Sequence, residues 1–203
     1  MRHCFCTLAL AAVTALLLSV SLAKAHSFNV ALLISQSGAT ASGGDQIRDG
    51  FLLATKERDG HPDEESDGHL GGLDVYLFVA EARDDPMAGA RTLLQQTAID
   101  IMVVIGPNLS IETVRPLTAG SHTVLLAPGQ TPFPASTGAI QTPAVRAFID
   151  AFKAEYGYVP SPLAAQGYNA ARRIDAAVRA QGGVSDQMAL RQALTESQST
   201  FDW

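Results

Sequence analysis

Two short polar loops carry the residues best suited to hold a small molecule. Asn108-Leu109-Ser110 follows the apolar run Ile101 to Ile105, and Gly129-Gln130-Thr131 follows the apolar run Thr123 to Ala127. Between them they offer amides, hydroxyls and backbone groups, the chemistry of recognition. Ser110 is placed to cap a helix beginning at Ile111. Such a helix start has unsatisfied N–H groups and the positive end of the helix dipole, so a carboxylate is favoured there. A third loop, Ser35-Gln36-Ser37-Gly38, ends another apolar run. The candidate ligand-binding residues are therefore Ser37, Asn108, Ser110, Ile111, Gly129, Gln130 and Thr131.

Other chemistries fit less well. The segment GATASGGD has Gly38 and Gly43 at the glycine spacing of a phosphate-binding loop, but Gly44-Asp45 stands where the Lys-Ser/Thr pair should contact phosphate and magnesium. The polar stretch from Asp59 to Gly72 holds His61, His69, Asp63, Glu64, Glu65 and Asp67, yet their spacing fits neither a calcium loop nor a zinc pattern. A solvated, hairpin-like loop is the expectation there. There is no Gly-x-Ser-x-Gly elbow and no His-Glu-x-x-His, so no enzyme, metal centre or cofactor is expected.

The chain of 203 residues carries a net charge of −6. Arg2 and His3 precede an apolar run from Leu8 to Leu22, and Ala23-Lys24-Ala25 has the small-residue pattern of a cleavage site, so 1–25 reads as a signal peptide for export to the periplasm. Both cysteines, Cys4 and Cys6, fall in it. The remaining 178 residues lack a thiol, which excludes a disulfide or a cysteine-bound metal. Without Arg2 and Lys24 the charge becomes −8, which argues against nucleic acid as a partner.

The elements that must position the loops follow from periodicity. Phe28 to Ile34, Leu73 to Ala80, Ile101 to Ile105 and Thr123 to Ala127 read as strands, several of them continuous apolar runs expected where both faces of a parallel sheet are buried. A helix after Gly44 places Ile47, Phe51, Ala54 and Arg58 on one face. Asp85-Pro86 opens another, with Met87, Ala90, Leu94 and Thr97 inward. Right-handed crossovers then give an α/β fold, a doubly wound, mainly parallel sheet of order 2-1-3-4 with helices on both sides. The order reverses beside Ser37 and Ser110, and ligands of open α/β sheets bind at the carboxyl ends of strands near such a reversal. Three helices close the chain. They are opened by Thr142-Pro143, Ser161-Pro162 and Ser185, with inward stripes Val145-Phe148-Ile149-Phe152-Tyr156, Leu163-Gly167-Ala170-Ile174-Val178 and Leu190-Ala193-Leu194.

Five segments in order, FNVALLISQSG, LDVYLFVAEARDDP, VVIGPNLS, VLLAPGQTP and FIDAFKAEYGYVPSPLAAQGYNAARRIDAAVRAQGG, resemble the Leu/Ile/Val-binding family of type I periplasmic binding proteins. The resemblance spans nearly all of the chain after the signal peptide. It implies a receptor that delivers an amino acid or related small polar solute to the membrane subunits of an ABC importer. It also implies that the turn at Ser110 holds the solute carboxylate, and that Gly129 and Thr131 hold its ammonium.

One departure is large. Where the family inserts a long run of strands and helices forming a second lobe, this chain has only 135–141. The organisation expected is a first-lobe core over 26–134, a connector over 135–141, and a helical segment over 142–203 packed on the same lobe. One lobe leaves a side of the solute wet. Two charged contact sets of about 1.5–3 kcal/mol each, less the costs of ordering, leave roughly the 4 kcal/mol of a millimolar complex. A homodimer mate or another chain would complete the pocket. The competing expectation is an interaction or sensory module that docks a partner protein and binds no solute.

Overall fold

Nine residues, Ser27–Ser35, form the first strand, β1, and the elements then follow in the order the apolar periodicity predicts. The structure is a computed structural model that describes residues 27–35, 43–60, 65–82, 85–106, 109–129 and 142–199. After β1 come α1 (Gly43–Lys56), β2 (His69–Leu70), β3 (Leu73–Ala82), α2 (Pro86–Gln96), β4 (Ile101–Ile105), α3 (Ile111–Thr118) and β5 (Val124–Leu126). Three helices follow, α4 (Pro143–Tyr156), α5 (Pro162–Gln181) and α6 (Gln187–Glu196), and then a short 3-10 turn at Ser197–Ser199. The expected signal peptide and the whole of the expected connector lie outside the described residues.

The five strands form one sheet in the order β2-β3-β1-β4-β5. The pairs β1–β3, β1–β4 and β4–β5 are parallel, and leaving β2 aside they give the expected order. The addition is β2, two residues antiparallel to β3 in the stretch read as a loop, which makes the sheet mixed. The Gly71-Gly72 turn that forms this hairpin is pinned from outside, because the Gly71 N–H donates to the Asp175 carboxylate of α5 at 2.8 Å.

The continuous apolar runs are explained by two cores. Val30, Leu32 and Ile34 of β1 join Ile101, Val103 and Ile105 of β4 in a cluster with α1, α4, α5 and α6. Ala31 and Leu33 join Met102 and Val104 in a second cluster with Ala90 and Leu93 of α2 and Val114 of α3. Adjacent strand residues point to opposite faces, so burial on both sides requires every position to be apolar.

Caps set the helix boundaries. The side chain of Asp85 accepts from the Met87 and Ala88 N–H groups, that of Thr142 from Val145, and that of Ser161 from Leu163. Three details differ from expectation. In α2 Leu93 is fully buried and Leu94 only partly, and Thr97 is the C-cap. Asp186 caps α6 in place of Ser185, accepting from the Ala189 N–H at 3.0 Å. Arg58 lies beyond the end of α1, with Nε 3.9 Å from Asp175.

Helices α1 and α5 cross with their backbones in contact. A β-carbon added at Gly50 would overlap the Ala164 carbonyl, and one added at Gly167 would overlap that of Ile47. Each helix supplies one glycine to the crossing, and that is what lets Phe51 and Tyr168 sink beside it. Among the described residues no helix is long and apolar enough to cross a membrane.

Candidate functional site

Because β4 and β5 are parallel neighbours, the residues following them leave the same edge of the sheet. That edge therefore holds Ser110 and Ile111, after β4, and Gly129, after β5. Ser35 at the end of β1 is also there, since β1 and β4 pair in register from Val30–Ile101 to Ile34–Ile105. Gly106 lies directly on Ser35, where any β-carbon would press on the Ser35 carbonyl oxygen, so the loop into α3 runs close over the end of β1. Ser37, Asn108, Gln130 and Thr131 lie outside the described residues.

Ser110 is the N-cap of α3, extended at φ −126° and ψ 159°. Its hydroxyl oxygen accepts from the Thr113 N–H at 3.3 Å and lies 3.2 Å from the Thr113 hydroxyl. Ser110 is exposed, Ile111 half-buried and Gly129 exposed. Sequence reasoning missed Glu112. Hydrogen bonds from its own backbone N–H and from the Ser110 hydroxyl hold its carboxyl below the usual carboxylate range. The start of α3 thus already has an acid of the chain's own, with which a solute carboxylate would compete.

A cleft of about 510 Å³ begins at Ile111 and runs along the outer edge of β5, between α3 on one face of the sheet and α5 and α6 on the other. Arg115, Arg173 and Arg191 line it, one from each of those helices, and among the described residues no carboxylate does. Arg173 is 5% exposed. Its Nε–H donates to Ser197 Oγ at 3.2 Å, Nη1 to the Ala127 carbonyl at 3.1 Å and Nη2 to the Leu194 carbonyl at 2.8 Å. Burial alone lowers its pKa. The Ala127 carbonyl is thereby used by a side chain, and the regular pairing of β5 stops at Leu126 rather than at Ala127 as the sequence suggested. The sequence carried a signal for Arg173, which falls three residues after Ala170 on the inward stripe of α5.

The histidine read as part of the polar loop is structural. The His69 ring lies between two carboxylates, Nδ1 2.9 Å from Asp59 and Nε2 2.7 Å from Asp74, which ties the segment after α1 to the hairpin. Among the described residues no group of three or more His, Cys, Asp or Glu side chains is placed to hold a metal ion.

The sheet is mixed and doubly wound, with Ser110 and Gly129 exposed where β4 and β5 release their carboxyl ends. No protein-family model and no curated protein matches the sequence. Solved structures are more specific about the fold. An ABC transporter substrate-binding protein from Sphaerobacter thermophilus superposes with a TM-score of 0.63 at 13% identity, over 83% of this chain and 85% of its own. A solute binding protein of an ABC transporter from R. palustris, in complex with benzoate, gives a TM-score of 0.58 at 13% identity, over 87% and 86% of the two chains. This chain shares the fold of those solute-binding proteins.

Proposed function

We propose that this chain is a periplasmic solute-binding protein of an ABC importer, related to the Leu/Ile/Val-binding family and reduced to one lobe with 135–141 in place of the second. The solute is an amino acid or similar small carboxylate. It lies in the crevice at the carboxyl ends of β1, β4 and β5, bounded by Ser37, Asn108, Ser110, Ile111, Gly129, Gln130 and Thr131. The carboxylate faces Ser110 and the start of α3, and the ammonium faces Gly129 and Thr131. The observation that carries this reading is the exposed, capped N-terminus of α3 beside the turn at Gly129 on one sheet edge. The fold shared with two solute-binding proteins of ABC transporters supports it.

Calorimetry with the common amino acids and their amides tests the assignment. Binding in the millimolar range is expected for a monomer, tighter in a dimer, and weakened at least tenfold by Ser110→Ala with Thr131→Ala. Sedimentation with and without the amino-acid mixture reports whether solute drives dimerisation. No heat from any of these solutes, in monomer or dimer, sinks the reading.

A further inference from the structure

The crevice is not the only place suited to an anion. We propose that the cleft along the open edge of β5 is a second binding site, for a small organic carboxylate. Its charge is met by Arg115, Arg173 and Arg191, and its apolar body lies on Leu125 and Leu194.

Three observations converge on this. The first is the imbalance of charge. Three helices each send one arginine to the same cleft, and among the described residues none that lines it is acidic. Glu112 and Glu196 each directly follow a lining position, Ile111 and Thr195, and both are exposed. Glu112 is held by its own backbone N–H and Ser110, and Glu196 accepts from the Gln192 side chain at 2.8 Å. The second is Arg173 itself. A guanidinium has five N–H groups, and three of those of Arg173 go to neutral oxygens. One N–H on each terminal nitrogen is left, able to donate to an anion. Among the described residues no carboxylate takes it, and burying a cation without a counter-charge is unfavourable unless one is supplied. The third is the wall. Leu125 and Leu194 face the same space as the arginines, so a bare oxyanion would leave apolar surface wet whereas a carboxylate with a hydrocarbon or aromatic body would cover it. A volume of about 510 Å³ suits a ligand of that size.

Titration calorimetry of the protein with benzoate, benzamide and inorganic phosphate tests this. Benzoate should bind saturably, with benzamide and phosphate each at least tenfold weaker. Arg115→Gln with Arg191→Gln, both exposed positions, should weaken benzoate at least tenfold and leave the melting temperature within a few degrees. Ser110→Ala with Thr131→Ala should leave benzoate binding unchanged, which separates this site from the crevice. Equal binding of benzoate and benzamide, or a double arginine variant that binds as the parent does, overturns the proposal. Equal binding of phosphate overturns the ligand class. Loss of benzoate binding only in the Ser110/Thr131 variant assigns it to the crevice and refutes the second site.

Discussion

The α1–α5 crossing and the β5 edge are both helix-flanked margins of one sheet, and they are finished in opposite ways. At the crossing two glycines bring backbones together, apolar side chains fill the remaining space, and the buried acids have partners: Asp49 accepts from Tyr158 at 2.7 Å, and Asp175 from Gly71 and Arg179. At the β5 edge the strand is three residues long, a cleft lies beside it, and among the described residues a buried arginine donates only to neutral oxygens. One margin is closed by packing and the other is left for something with charge. Stability should reside at the first and ligand response at the second.

The sharpest way to break this contrast is at the crossing. Gly→Ala inside an exposed helix normally stabilises by about 1 kcal/mol. At Gly50 or Gly167 the added methyl meets a backbone carbonyl that cannot move aside like a flexible side chain. Gly50→Ala and Gly167→Ala are each expected to destabilise by about 3 kcal/mol, read from chemical denaturation. A neutral or stabilising result would show that the helices are not in backbone contact.

Alkaline unfolding should also come from the packed side. Tyr156, Tyr158 and Tyr168 all have pKa values raised above the usual value near 10, with burial the largest cause. Hydrogen bonds to Asp49 and Glu57 add to the shift for Tyr158 and Tyr168. A raised phenol keeps its proton in the folded chain after the unfolded chain has lost it. Its contribution is therefore fully present below pH 10 and lost as the pH rises above it. Each fully shifted tyrosine removes up to about 1.4 kcal/mol per pH unit in that window, less for the largely exposed Tyr158. Stability measured from pH 8 to 11 should fall steeply beyond 10, and Tyr168→Phe should flatten the fall.

Arg173 tests the other margin, where the effect on stability is expected to be smaller. Replacing it with Met loses three hydrogen bonds to neutral oxygens but removes an uncompensated buried charge, two terms of similar size and opposite sign. Arg173→Met is expected to change stability by less than about 1.5 kcal/mol, well short of the glycine variants, and to abolish any stabilisation by benzoate. A loss comparable to Gly50→Ala would make the two margins alike.

Much of the packed margin was legible in the sequence. Its signals are local: runs apolar at every position, Asp-Pro, Thr-Pro and Ser-Pro helix starts, and stripes at helical spacing. Errors arose where neighbours compete. Leu93 and Leu94 are adjacent and about 100° apart around the helix, both reach the same core, and packing against β1 and β4 buries Leu93 fully and Leu94 only in part. Ser185 and Asp186 are both capping residues, and the carboxylate that reaches the Ala189 N–H decides the start of α6. A hairpin-like loop was legible before β3, but not its strand pairing at His69 or its tie to Asp175, which lies on a distant helix. For the same reason the arginine cleft is not readable: its cations come from three helices far apart in sequence, joined only by the closing of α5 and α6 over the sheet. Ser110 was readable, since a cap is a local event.

That local event supplies the finest test of where the crevice ends and the cleft begins. Ser110→Ala removes the cap of α3 and should lower stability by about 1 kcal/mol, with the Glu112 carboxyl losing the hydroxyl that helps hold it in the ionised form. Glu112→Gln keeps the cap but removes the acid that already occupies the positive end of the helix. An amino-acid carboxylate in the crevice would then meet less competition, and its affinity should rise by roughly two- to fivefold, the scale of a charge at a helix terminus. Calorimetry with an amino acid and with benzoate on the same variant distinguishes the two sites. A gain confined to the amino acid assigns the α3 start to the crevice, whereas an equal gain for benzoate means that Ile111 joins both into a single site.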